Sequence, residues 1–200
     1  MGHDRDEVTD LALKGAEMVA KAIGLTVPVA GAVAVLIEAV SDRRTRRQCQ
    51  RLEKLVRSLI ARLDHLEESP PEPFEPDLLD EILAKAVNDE DEDKVEYYAA
   101  LIEYCACGTP NAYQVRLLGD AIKNLTAHEI KAFVHFNKQA CLPHNIPADL
   151  RDIFWDRVCT LGLYPREKIR TDRPQEYATF LGKRFLEVCE SATSARAKRG

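Results

Sequence analysis

The stretch that decides the fold is RRQCQRLEKLVRSLIARLDHL, residues 46–66. Its apolar side chains recur at steps of three and four residues, so they share one face of an α-helix and most arginines lie on the other. These apolar residues are Leu52, Leu55, Val56, Leu59, Ile60, Leu63 and Leu66. The pattern predicts a helix that begins near Val29, continues to about Glu68 and packs against a partner helix. That partner is a helix of the same chain or, if the stripe is wider than the chain can cover, a second copy.

Upstream of this stripe, residues 22–37 carry no charge, and a basic cluster follows. The cluster consists of Arg43, Arg44, Arg46, Arg47 and Arg51. That order is typical of a membrane segment with a basic cytoplasmic flank, but the uncharged run is shorter than the roughly 20 residues that cross a bilayer. Because Pro28 interrupts it, a buried helical hairpin is predicted at residues 1–68. The alternative is a membrane-active effector that releases residues 24–40 and places the arginines on anionic headgroups or on a partner.

Charge is unevenly distributed along the 200 residues, although the net charge is only −5. Between Arg43 and Arg62 there are eight basic residues and one acid, whereas between Asp64 and Asp93 there are thirteen acids and one lysine. We expect the two segments to lie close together and to neutralise each other. The alternative is that the basic segment binds an outside partner.

The centre of the chain is predicted to be helical after a break. A proline-rich linker at 69–76 precedes a middle helical layer at 77–124. Within this layer, the run NDEDEDK at 88–94 is interpreted as a helix start and a solvated loop rather than a paired acid site.

From residue 125 the pattern changes, and a winged-helix-like module is predicted at 125–190. Thr126 and Glu129 have the spacing of a capping box at the start of its first helix. A disordered basic tail is predicted at 191–200. The predicted fold class is therefore mainly α: a helical hairpin or bundle, then a module with a small β-hairpin.

Two phrases in this module resemble the winged-helix family. They are TLGLY at 160–164 and YATFLGKRFLEV at 177–188. In that family a helix ends in a Leu-Gly-Leu step, a β-hairpin wing follows, and a phrase with Thr-x-x-Gly and Phe-Leu comes after the wing. The resemblance implies two short strands within 164–180 and suggests binding to DNA.

Charges on the helix that would enter DNA favour a protein partner instead. This helix, PADLRDIFWDRV at 147–158, carries Asp149, Asp152 and Asp156, which phosphates repel. Its apolar side is predicted to hold Ile153, Phe154, Val158 and Leu161. The candidate nucleic-acid contacts of the wing are Arg166, Lys168, Arg170 and Arg173. Protein contact is therefore favoured, and a DNA-binding transcriptional regulator acting through the wing is the alternative.

Much of the chain also resembles an uncharacterised bacterial helical family found near prophages and mobile elements. The shared phrases are VPVAGAVAVLIEAVSDRRTRRQCQRLEKL at 27–55, DEDEDKVEYYAALIEYCA at 89–106 and LTAHEIKAF at 125–133. A weaker likeness, through Val-Pro-x-x-Gly and QCQRL at 48–52, is to the N-terminal helical bundles of cell-death proteins. These resemblances imply a bacterial host and a link to phage defence or a mobile element, but no activity.

Motifs that carry chemistry are missing from the sequence, which has no Gly-rich phosphate loop, nucleophile elbow or HExxH. The residue types of a metal site occur in the set Cys105, Cys107, His128, His135, Cys141 and His144. It lacks the usual Cys-x-x-Cys spacing, so buried thiols and surface histidines are favoured. The charged N-terminus is unlike a signal peptide, which predicts a cytoplasmic protein with free thiols. We therefore predict no catalytic, cofactor or metal residues, and a non-catalytic interaction or adaptor protein that binds another protein or a second copy.

Overall fold

The computed structural model describes residues 43–63, 76–107, 111–143, 146–166 and 178–197. In these ranges the chain forms seven α-helices and one 3₁₀ turn, Glu92–Lys94, and no strand. The helices are α1 (Arg43–Leu63), α2 (Pro76–Asn88), α3 (Val95–Ala106), α4 (Ala112–Asn124), α5 (Ala127–Gln139), α6 (Ala148–Thr160) and α7 (Phe180–Ala197). The mainly helical fold class is confirmed. The first part of the N-terminal hairpin, residues 1–42, and most of the proposed β-hairpin, residues 167–177, lie outside the described ranges.

The described helices belong to two compact units that divide between Ala112 and Tyr113. The first unit contains α1, α2 and α3, and the second contains α4 to α7. The sequence pattern placed α4 in a middle layer with α2 and α3, whereas in the structure it groups with the C-terminal helices.

In the first unit, α1 packs against both α2 and α3 through its apolar stripe, and α2 also packs against α3. Leu55 and Leu59 are fully buried, and Leu52 and Val56 are nearly so. The described part of the stripe is therefore covered by the chain itself. Full burial of one leucine side chain stabilises a fold by about 1.5–3 kcal/mol, so this face is a main source of stability in the unit.

The central helix of the first unit is α3, which is buried on almost all sides. Its buried residues are Val95, Tyr97, Tyr98, Ala99, Ala100, Leu101, Ile102, Cys105 and Ala106. A helix that is apolar around most of its circumference needs neighbours on more than one side, which α1 and α2 provide.

In the second unit, α5 begins at the capping box that the sequence predicts. The Glu129 N–H donates to Thr126 Oγ1 at 3.2 Å, and the Thr126 N–H donates to Glu129 Oε2 at 2.7 Å. Because both donors would otherwise lack an intrahelical acceptor, the box fixes the first turn of α5. α5 packs against α7, where the rings of Phe133 and Phe185 meet edge to face with centroids 5.7 Å apart.

The two phrases that resemble the winged-helix family meet in space. Thr179 Oγ1 donates to the Gly162 carbonyl oxygen at 2.6 Å, and the Thr179 N–H donates to the Leu163 carbonyl oxygen at 3.3 Å. The Gly182 N–H donates to Thr179 Oγ1 at 2.9 Å and so caps the first turn of α7. Gly162 has a left-handed φ of 71°, and a Cβ built on Gly182 would overlap the Leu163 carbonyl oxygen. The backbone conformation therefore favours glycine at position 162, and the close approach of the Leu163 carbonyl oxygen requires it at position 182.

Two helix ends differ from the sequence prediction. α2 begins at Pro76, inside the expected linker, since proline is well tolerated at the first helical position, where its missing N–H costs nothing. α7 continues to Ala197, past the predicted end at Glu190 and into the expected disordered tail. Ala192 is buried, so this part of the tail packs as the preceding turns do.

Candidate interaction surface

The helix α6 is held in the second unit by an aromatic cluster. The ring of Trp155 lies edge to face on Phe136 with centroids 4.6 Å apart, and it also contacts Tyr164 at 5.9 Å and Phe154 at 5.0 Å. Phe154 and Val158 are buried on the same side of the helix. Aromatic pairs in such tilted geometries stabilise a fold by about 0.5–1.5 kcal/mol beyond the area they bury. The inner face of α6 is therefore packed tightly against the rest of the second unit.

The outer face of α6 carries two exposed aliphatic side chains. Leu150 is 48% exposed and Ile153 is 55% exposed, and they lie about one helical turn apart. Arg151, Asp152 and Asp156 are also exposed, so the apolar pair is bordered by charge. The expectation that Ile153 lies on the buried apolar side is wrong: Phe154, Trp155 and Val158 form that side and turn Ile153 outward.

The arginines near this face contact acceptors within the second unit. Arg166 Nη2 lies 2.7 Å from Asp156 Oδ1, with both side chains about two-thirds exposed, so this ion pair stabilises little. Arg157 donates to Glu129 Oε1 at 2.9 Å and to the carbonyl oxygen of Asn124. Of the four candidate nucleic-acid contacts, Arg166 is thus paired with an acid of α6. Lys168, Arg170 and Arg173 lie outside the described residues.

The basic side of α1 faces the loop between α2 and α3. Arg51 donates to the carbonyl oxygens of Val87 at 3.2 Å and Glu90 at 3.4 Å, and Lys54 donates to that of Glu92 at 3.2 Å. Val87 lies in the last turn of α2, where the helix dipole is negative, so a guanidinium at its carbonyl oxygen is favourable. The expectation that basic and acidic segments lie together is confirmed for these residues, although the acceptors are backbone carbonyls rather than carboxylates.

Among the other arginines proposed for membrane or partner contact, Arg47 is exposed. Arg43, Arg44 and Arg46 lie in the first turn of α1, and their side chains are outside the described set. The structure therefore brings together Arg51 with the α2–α3 loop and leaves Arg47 at the surface.

A buried charge on α1 was missed by the sequence interpretation. The Arg62 side chain is only 2% exposed and lies 2.5 Å from Glu103 Oε2 and 3.7 Å from Glu96 Oε2. Ser58, also buried, donates to the same Glu96 oxygen at 2.7 Å. A signal was present, because Arg62 follows Leu59 by three residues and so falls on the apolar stripe.

A second buried network closes the acidic loop. Asp89 accepts hydrogen bonds from Lys94 Nζ at 2.8 Å, from the Tyr98 hydroxyl at 2.8 Å and from the Asp91 N–H at 3.0 Å. The side chains of Lys94 and Asp89 are 5% and 7% exposed. The solvated loop expected at 88–94 therefore contains a buried ion pair. The signal in the sequence was the single lysine that directly follows five consecutive acids.

The described cysteines differ in burial, and Cys159 is half-buried. Cys105 and Cys189 are buried, and burial raises the pKa of Cys105 to about 12 and that of Cys189 well above its ordinary value. Cys107 and Cys141 are exposed, as are His128 and His135. The pKa of Cys107 is raised although the residue is exposed, first because neighbouring groups partly desolvate the thiol and then because of the nearby Glu103 carboxylate. The expectation of surface histidines is confirmed for these two, and the expectation of buried thiols for only some cysteines.

Neither a metal cluster nor a bilayer-crossing helix is found in the described ranges. No group of three or more His, Cys, Asp or Glu side chains there is arranged to hold a metal ion. No helix in those ranges combines the length and apolar character needed to cross a membrane. The uncharged run at 22–37 lies outside them.

No family model, curated protein or solved structure matches this chain. The resemblances drawn from its motifs therefore stay predictions.

Proposed function

We propose that this chain is a non-catalytic protein-interaction module that docks through the outer face of α6. The observation that carries this proposal is the exposed pair Leu150 and Ile153 on a helix whose opposite face is anchored by Trp155. Scattered single apolar residues are normal on a protein surface. Two on adjacent turns of a seated helix instead match the anchors of helix-in-groove recognition, in which a helix places its apolar side chains in a partner's cleft.

The charges around this pair favour a protein over duplex DNA. Asp152 and Asp156 are exposed beside the apolar pair, and Asp156 already engages Arg166. Carboxylates repel phosphates, whereas they form an ordinary polar rim around an apolar protein contact. Because Arg166 is paired with an acid of α6, it does not support the alternative of a transcriptional regulator that binds DNA through the wing. The bacterial setting, phage defence or a mobile element, rests on the sequence resemblance alone.

The test is a comparison of variants in the native host. A doubly substituted Leu150→Ser, Ile153→Ser chain and the wild type would be purified with bound proteins and nucleic acids identified in both. Tyr113→Ser is the matched control, since Tyr113 is another large exposed side chain at 68%. Two exposed anchors worth about 1 kcal/mol each predict roughly a 30-fold loss of partner affinity in the double variant and little change in the control.

A second arm locates the contact. A photo-crosslinking amino acid at position 153 should capture the same partner, and one at position 113 should not. Recovery of that partner at equal yield with the double variant would contradict the proposal. Co-purification of duplex DNA that Arg166→Glu abolishes would replace it with the regulator function.

A further inference from the structure

The outward face of α5 carries lysine and histidine side chains and no acid. The whole of α5 is described, and apart from Gln139 its exposed residues are His128, Lys131, His135 and Lys138. Their spacing of three, four and three residues places them on one stripe along the helix. At a rise of 1.5 Å per residue this stripe is about 15 Å long. We call these four residues the α5 stripe.

The acidic side chains near the α5 stripe leave it cationic. Glu129, the one acid of α5, caps the first turn and lies 2.9 Å from Arg157 Nη1 on α6. Glu190 of α7 lies 3.1 Å from Lys138 Nζ, and both side chains are almost half exposed. An exposed ion pair of this kind contributes at most about 1 kcal/mol and is weakened by salt. An anionic ligand can therefore compete with Glu190 for Lys138.

Charge is also divided between the two units. Residues 113–200 contain 15 Lys and Arg against 10 Asp and Glu, a net charge of +5 with histidine neutral. Residues 1–112 contain 13 Lys and Arg against 23 Asp and Glu, a net charge of −10. Such an asymmetry between two parts of a chain is typical of binding to nucleic acid or a membrane surface. The field of the second unit therefore favours an anionic partner.

The polar character of the stripe narrows the choice of partner. The exposed residues of α5 include no apolar side chain, whereas protein–protein interfaces have an apolar core and membrane-surface helices insert apolar side chains. They include no aromatic ring, on which single-stranded bases stack. The phosphate backbone of a duplex needs only positive charge and hydrogen-bond donors. About four phosphates of each strand lie along 15 Å of duplex axis, which matches the four residues of the stripe.

The histidines of the stripe can act as donors whatever their charge, because a neutral imidazole still carries one N–H. His135 Nε2 lies 3.9 Å from Cys141 Sγ, since the left-handed φ of Ala140 returns the chain beside the end of α5. Its other ring nitrogen, Nδ1, is therefore the one that would meet a phosphate.

We propose that the α5 stripe binds the phosphate backbone of duplex nucleic acid without reading its sequence. The two lysines supply positive charge, and the two histidines supply additional N–H donors. The stripe lies on a different helix from Leu150 and Ile153, so this binding does not depend on the proposed function.

The test uses the full chain and short fluorescein-labelled DNA duplexes of unrelated sequence, with binding followed by fluorescence anisotropy as salt is raised. All duplexes should bind alike, with a Kd of about 10⁻⁴–10⁻⁶ M at physiological salt. Lys131→Gln combined with Lys138→Gln should weaken binding roughly tenfold and reduce the salt slope by about 2, because each phosphate contact contributes about 0.9. Glu190→Gln should tighten binding by about two- to fivefold, because it removes the carboxylate that competes for Lys138.

Two control variants should bind duplex as the wild type does. They are Arg57→Gln, which removes an exposed cation of α1, and the Leu150→Ser, Ile153→Ser chain. The inference is overturned if the wild type binds no duplex at low salt, or if the double lysine variant keeps the wild-type salt slope. Vesicles containing phosphatidylserine provide a third arm. If they bind as tightly as duplex, and the double lysine substitution weakens both equally, the partner is a membrane surface instead. Misfolding does not explain tighter binding by Glu190→Gln, so that variant separates a binding role from a structural one.

Discussion

The helices α1 and α6 both carry apolar and charged side chains, but they differ in how far other helices cover their apolar side chains. In α1 the described apolar stripe is covered by α2 and α3, and three of its basic side chains, Arg51, Lys54 and the buried Arg62, contact groups of the same unit. In α6 the aromatic side is buried, whereas Leu150 and Ile153 remain exposed among charges. Apolar content alone therefore does not identify an interaction surface. The difference lies in whether the rest of the chain covers it.

The largest expected effect is at Leu59, which is fully buried in α1. Leu59→Asp removes a packed side chain and places a carboxylate in the core, so we expect destabilisation of about 5 kcal/mol or more and loss of the folded first unit. Circular dichroism with light scattering measures it. Ile153→Asp is the matched substitution in α6 and should remain folded. A dimeric wild type together with a folded, monomeric Leu59→Asp would show that the stripe is a contact between copies.

The next largest loss of stability is expected where the first turn of α7 packs against the chain that follows α6. Gly182→Ala should cost about 3 kcal/mol, because its Cβ would overlap the Leu163 carbonyl oxygen and the backbone must move. Gly162→Ala is the control. Its Cβ has room, and the left-handed φ alone should cost about 1 kcal/mol. Urea denaturation of both variants tests this order. Equal stability of wild type and Gly182→Ala would mean that the close approach does not persist in solution.

Removal of the buried charge of α1 should lower the free energy of unfolding more than removal of an exposed charge near α6. Arg62→Met leaves Glu103 and Glu96 without this partner, but these carboxylates are 24% and 17% exposed and recover some hydration. We therefore expect a cost of about 2 kcal/mol, below the usual range for breaking a fully buried pair. Arg166→Met should change the free energy of unfolding by less than about 0.5 kcal/mol. Urea denaturation measures both variants. If Arg62→Met and Arg166→Met lower the free energy of unfolding equally, the charge on α1 is no more important for stability than the charge near α6.

The smallest effect concerns α5, which supports the buried side of α6. Thr126→Ala removes the acceptor for the Glu129 N–H and should cost about 1 kcal/mol. Thermal denaturation measures this change, and Thr126→Ser, which keeps the hydroxyl, should retain most of the stability. If the alanine and serine variants are equally destabilised, the effect comes from the lost methyl group and not from the cap.

Local patterns determined much of the helical framework. Spacing at three and four residues predicted α1, and the Thr126 and Glu129 pair predicted the start of α5. These features follow from the sequence because they depend on helix periodicity and on backbone hydrogen bonds between near neighbours.

Only the tertiary structure decided which side chains are covered. Arg62 and Lys94 are charged yet buried, Ile153 is aliphatic yet exposed, and Cys141 lies beside His135 after a left-handed turn. Each outcome depends on neighbours that helix periodicity does not specify: Glu103 across the α1–α3 contact, Asp89 in the loop before α3, and the aromatic side of α6. Burial of a charge is tolerable only where another element supplies its partner, and that pairing is a property of the packed chain.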